Sequence, residues 1–159
     1  MQKFENFLYK LLCYTCGLLI LGMTLLIFGQ VLCRYVMNNS LTWSEEIGRY
    51  MFVWITFIGL PVALKYGAHV SIDLLLKKTS GKFHLVILTI NAAVTALLGV
   101  LIFYSGIKLF NLGIGQVSSA LQMPMQYVYS VIPFSGLALC FFAVTVYLDQ
   151  RRKLAQGER

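Results

Sequence analysis

Two adjacent carboxylates, Glu45 and Glu46, precede Arg49 in the run Thr42-Trp43-Ser44-Glu45-Glu46-Ile47-Gly48-Arg49, and no charge follows from Tyr50 to Leu64. Ionic groups at the mouth of so apolar a stretch are costly. At the centre of a bilayer each costs roughly 2.5–3.5 kcal/mol on the mildest scales, so such residues usually have partners. On a helix Glu45 and Arg49 are i,i+4 in the favourable order and Glu46 and Arg49 are i,i+3, so both acids can reach one guanidinium. Acids in a first turn also complement the helix dipole. One reading is a self-neutralised helix start. The other is a docking site, because two acids and one arginine leave a net negative charge for a partner to meet. Arg34, at the end of the preceding apolar run, could supply that counter-charge within the chain. Trp43 fits an interfacial anchor.

Other candidates for chemistry are weaker. Cys13-Tyr14-Thr15-Cys16 has redox spacing but sits in an apolar run, where small packing residues are the simpler account. His69 and Asp73 are i,i+4 if their segment is helical, which suits a local hydrogen bond or a headgroup contact. His84 shares that polar region, too shallow for a haem at a bundle centre. The polar residues within the apolar runs are Thr24, Gln30, Thr56, Asn91, Thr95, Ser135 and Thr145. None is an acid or a histidine, which excludes the usual parts of a proton relay, a haem ligand pair or a charged substrate site.

The elements that must hold these groups are membrane helices. The chain has 159 residues, 58% hydrophobic and 12% charged, with a mean hydropathy of +0.76. Soluble domains carry about 25% charged residues. Apolar runs at Leu11 to Cys33, Ile47 to Leu64, Leu85 to Ile107 and Tyr127 to Leu148 predict an all-α membrane protein with four transmembrane helices, roughly 11–33, 43–66, 83–108 and 124–148, in one domain over residues 1–159. Residues 1–10 and 68–82 read as short interfacial segments. Thr42 with Glu45 reads as a capping box, and Gly67 as the stop of the second helix. Pro61 and Pro133 each free a carbonyl four residues earlier and are expected to bend their helices. Gly59, Ala63 and Gly67, and Ala92 with Ala96, form small-residue ridges suited to close packing. The connection 109–126 carries no charge apart from its flanks and is expected to lie on lipid or on another protein.

Of thirteen basic residues, ten fall on one side of the predicted spans, leaving Arg34, Arg49 and Lys108 on the other. The positive-inside rule then places both termini in the cytoplasm. The net charge of +7 follows from this bias and is no sign of nucleic-acid binding. The first apolar run is too long for a cleaved signal peptide.

Trp43-Ser44-Glu45-Glu46 with Arg49, then Gly59, then Gly67-Ala68-His69-Val70-Ser71-Ile72-Asp73, resembles the pattern of the small membrane subunit of tripartite ATP-independent periplasmic (TRAP) transporters. Ala120-Leu121-Gln122-Met123-Pro124, leading to Tyr127 and Pro133, is similar to the same pattern, so the resemblance runs from about Arg34 to Pro133. It implies a non-enzymatic scaffold subunit in a bacterial inner membrane, part of a sodium-coupled importer of an organic acid such as a dicarboxylate or sialic acid. Its partners would be a large polytopic TRAP membrane subunit, which carries the substrate and sodium sites, and a periplasmic substrate-binding protein. No cofactor is expected in this chain. On that resemblance Arg34, Trp43, Glu45, Glu46 and Arg49 are expected to order the subunit interface or meet the binding protein, and His69 with Asp73 to fix the inner loop. The alternatives are a stand-alone small four-helix transporter or an assembly subunit of another complex. A small multidrug exporter needs a carboxylate in its first helix, which Leu11 to Cys33 lacks. A quinone-linked disulfide-forming enzyme needs outer cysteine pairs, and a dihaem cytochrome needs histidines facing each other within the bundle.

Overall fold

The computed structural model describes residues 2–36, 42–66 and 82–155. The described residues form α1 (Gln2–Val36), α2 (Thr42–Tyr66), α3 (Lys82–Leu112), a single turn α4 (Gln126–Tyr129) and α5 (Val131–Ala155). Four of these helices are long and apolar enough to cross a membrane. The all-α, four-span expectation holds for them.

The boundaries differ where no breaker exists. The expected surface lead-in is the opening of α1 itself, because neither glycine nor proline interrupts residues 2–16. Glu5 turns inward there and is 3% exposed. At the other end α5 runs past the expected stop at Leu148 to Ala155, through a helix-compatible stretch that also lacks glycine and proline. His84 lies in the first turn of α3 rather than in the preceding loop.

Proline explains the split before α5. Pro133 has no N–H to offer the carbonyl of Tyr129, so the helical run breaks at Ser130, whose own N–H still reaches the Gln126 carbonyl at 3.0 Å. Pro133 therefore stands in a first turn, where a missing donor is tolerated, instead of bending a continuous helix. Pro61 does lie inside α2. The carbonyl it orphans is that of Phe57, and the Ser135 hydroxyl of α5 donates to it. Ser135 is 1% exposed, so the bond forms away from water.

The helices pack in an open row in the order α1, α2, α5, α3. The core lies along the α2–α5 contact, around Ile58, Leu64, Ile132, Leu139 and Phe142, with Leu12 of α1 joining it. In the most apolar window of each helix, half of α5 is buried but only 6% of α1. The tightest contact is α3 on α5. Gly99 and Gly106 of α3, and Gly113 just past its end, recur every seven residues. A Cβ on Gly106 would lie 2.6 Å from the Pro133 nitrogen, and one on Gly136 would lie 2.6 Å from the Phe103 nitrogen. Backbone meets backbone there, the arrangement that small residues permit. Ala96 of the predicted ridges joins this contact, its carbonyl 3.6 Å from the Cys140 thiol. Gly59 does not, since a Cβ there would meet nothing within 4 Å.

Near the termini, Lys65 of α2 pairs with Glu5 of α1, the one ion pair among the described residues. The Lys65 ammonium also stands 5.9 Å from the Phe142 ring centroid, and Phe4 meets Phe141 edge-on at 6.0 Å. These contacts hold the start of α1 to the end of α2 and to α5.

Candidate functional site

At the opposite end of the row, the first two turns of α2 meet the connection between α3 and α4. That connection is a small hairpin. Val117 pairs with Pro124 in an antiparallel bridge. The Ser118 N–H donates to the Met123 carbonyl and the Met125 N–H to the Gln116 carbonyl, each at 2.9 Å. Gly115 at φ 111° and Gln122 at φ 53° supply the left-handed turns that reverse the chain. The reversal leaves three successive N–H groups at the tip pointing inward.

Glu46 fills that tip. Its carboxylate accepts hydrogen bonds from the backbone N–H groups of Ser119 at 3.2 Å, Ala120 at 2.9 Å and Leu121 at 3.0 Å. The Tyr50 hydroxyl, one turn along α2, donates to the same carboxylate at 2.7 Å and lies 3.3 Å from the Met125 sulfur. Consecutive backbone amides around an anion form a nest, and charge-assisted bonds of this kind are about twice as strong as neutral ones. Glu46 is 5% exposed. The uncharged connection thus has its counter-charge inside the chain, on α2, and lies against the protein's own helix rather than only against lipid or a partner.

The two acids part company. Instead of sharing Arg49, Glu46 faces the hairpin, and Glu45, a hundred degrees round the helix, accepts a hydrogen bond from the Gln30 side chain of α1 at 3.1 Å. Glu45, expected to cap the helix start, is engaged in this cross-helix bond. Arg49 and Arg34 are exposed, and neither has an ion-pair partner among the described residues. Trp43 is exposed at the helix start. The expectation of a self-neutralised cluster therefore fails, because the acids reach nearer and better-matched donors first. His69 and Asp73, and Gly67 as the stop of α2, lie outside the described residues.

Glu45, Arg49 and Phe52 line an open groove of about 700 Å³ between α1 and α2, with Met23, Ile27 and Gln30 on the α1 side. A second groove of about 330 Å³ lies on the other side of α2, under the hairpin, lined by Tyr50, Trp54, Leu121 and Tyr127 among others. Sequence reasoning missed Gln30, Tyr50 and Glu5 as partners of charged groups. An uncharged connection beside a spare acid was the available signal for the hairpin contact.

Among the described residues no three His, Cys, Asp or Glu side chains gather to hold a metal ion. Thr24, Thr56 and Thr95 in the spans bond back to their own helices, to the carbonyls of Ile20, Phe52 and Asn91, each at 2.8 Å, and Ser135 is taken up by the Phe57 carbonyl of α2. What the site offers is a braced, uncharged hairpin on one side of α2 and, on the α1 side, exposed Arg49 with no ion-pair partner among the described residues.

Comparison with known proteins agrees with such a subunit. The chain is 35% identical to a TRAP transporter small permease protein of Haemophilus influenzae over 78 residues, 49% of this chain and 48% of that protein. It is 27% identical to the isethionate TRAP transporter permease protein DctMQ of Oleidesulfovibrio alaskensis, over 74% of this chain and 20% of that protein. It is also 27% identical to the sialic acid TRAP transporter permease protein SiaT of Haemophilus influenzae, over 88% of this chain and 22% of that protein. The chain thus spans about half of the first relative and about a fifth of the other two. The family model for the DctQ component of tripartite ATP-independent periplasmic transporters matches residues 23–153, which take in the second half of α1, α2, α3, nearly all of α5 and both sides of the Glu46 nest, and the chain belongs to that family.

Proposed function

We propose that the chain is the small scaffold subunit of a sodium-coupled, binding-protein-dependent importer of an organic acid, and that it packs on a large membrane permease. The observation that carries this reading is the lack of any convergent polar site along the described spans, where Thr24, Thr56 and Thr95 bond to carbonyls of their own helices and Ser135 to the Phe57 carbonyl of α2. A substrate path needs polar groups aimed into a cavity; such groups would belong to the partner. The match to about a fifth of two longer permease proteins supports the same division of labour. Relatives named for isethionate and sialic acid support a small organic anion as the substrate class. The charge bias supports a bacterial inner-membrane subunit with both termini in the cytoplasm, which would put the hairpin on the periplasmic side near the binding protein. Sodium would bind in the large subunit.

The test is recovery of the tagged chain from its native membranes in mild detergent. A stoichiometric large polytopic permease in the eluate is the expected result. A chain that elutes alone, or only with itself, refutes the subunit reading.

A further inference from the structure

We infer that the groove between α1 and α2 is the seat of a helix from the large permease, and that this helix carries an acidic side chain that pairs with Arg49. The inference rests on the subunit reading above and adds to it which face is covered and by what chemistry.

Arg49 lies seven residues into α2, roughly 10 Å from the helix start at about 1.5 Å per residue. It is exposed and has no ion-pair partner among the described residues. A guanidinium cannot shed its proton, so at that depth it calls for an anion that the described residues do not supply. Its neighbour Glu45 does not serve, being bonded to Gln30 across the groove mouth. That cross-link sits one turn nearer the helix start than Arg49. It roofs the groove on the headgroup side and favours a carboxylate arriving laterally on a helix over a lipid phosphate descending from above.

The rest of the groove matches an apolar helix. Met23, Ile27 and Phe52 form its floor, and Phe52 is 60% exposed in the chain alone. On α1, residues 23, 27, 30 and 34 recur at helical spacing, so exposed Arg34 continues the same face beyond the groove. Positions 45, 49, 52, 56 and 59 of α2 recur four and three apart, the seam along which a second helix lies at a shallow angle. Gly59 adds no side chain to hinder its approach.

The experiment co-expresses the tagged chain with the large permease and measures the permease recovered in mild detergent. Arg49→Glu is expected to lower recovery about tenfold or more, since like charges then face each other in a desolvated contact. Lys108→Glu, on the far side of the row over the Tyr104 ring, is expected to leave recovery unchanged. A photo-crosslinking residue at Phe52 is expected to capture the permease, whereas one at Leu97, exposed on α3, is not. Crosslinking from Leu97 but not Phe52 overturns the assignment whether or not Arg49→Glu folds well. Full recovery with Arg49→Glu overturns it too, as does an intact complex that loses only a bound phospholipid by native mass spectrometry. If the unaltered chain recovers no permease, the subunit reading itself falls.

Discussion

Replacing Gly136 by alanine tests the packing that holds the two ends of the hairpin together. The new Cβ would lie 2.6 Å from the Phe103 nitrogen and 2.8 Å from the Gly99 carbonyl oxygen. Both are backbone atoms of α3, so no rotamer change can relieve the contact. Ordinary contact begins near 3.4 Å, and α3 must therefore move away from α5 by about 0.8 Å along a seam that also includes Gly106 against Pro133. Overpacking of this kind costs about 1–3 kcal/mol, and a gap of that width forfeits a quarter to a half of each dispersion contact it opens. Gly99→Ala is the informative companion. Its Cβ clashes mainly with the Cys140 sulfur, at 2.6 Å, and only mildly with backbone at 3.1 Å. Cys140→Ala in the same chain should recover most of the loss. Gly59→Ala, with nothing within 4 Å, should leave the isolated chain unchanged. Reversible unfolding in detergent micelles reads all four variants. A Gly136→Ala chain within about 0.5 kcal/mol of the parent, the range of an ordinary surface change, would refute backbone contact between α3 and α5.

Three further outcomes follow from named contacts. Glu46→Gln should raise amide hydrogen exchange at Ser119, Ala120 and Leu121 severalfold, because three donors lose their shared anion while α2 stays folded; unchanged exchange would show that the nest does not need the charge. Ser135→Ala should destabilise by about 1 kcal/mol by leaving the Phe57 carbonyl unpaired, and an additional Pro61→Ala should recover part of it by restoring an N–H at that turn. Removing Glu5 or Lys65 alone should cost up to about 3 kcal/mol, whereas Glu5→Leu with Lys65→Met should cost less than either, since breaking a buried pair strands a charge; simple additivity in that cycle would count against a buried pair.

The spans were legible because hydropathy reports length directly, and α2 begins and ends within a residue of the reading. Its first turn was singled out correctly as unusual. Its wiring was not readable, because i,i+4 spacing says which groups share a helix face and nothing about what folds down onto that face. Glu46 found three amides more than seventy residues away, and Glu45 found Gln30 on another helix. The prolines were read as kinks, yet one was answered by Ser135 from α5 and the other fell in a first turn. Small-residue spacing suggested close packing but not its address. The seven-residue series Gly99, Gly106 and Gly113, which carries the tightest contact, was passed over because it is too sparse to stand out as a ridge.

The open row has a consequence for the life of the protein in the cell. α1 leans on α2 along most of its length, is clasped to it near its start by Glu5 with Lys65, and reaches α5 there through Phe4. Helices in lipid associate through packing and hydrogen bonds rather than by escape from water, so an element with so few neighbours is the first to drift away. In a transporter of the kind proposed above, copies made in excess of the large subunit would therefore loosen first at α1, lose the hydrogen bond between Gln30 and Glu45, and become substrates for membrane proteolysis. The same geometry that leaves a face open for assembly would then keep the number of subunits matched without any separate control.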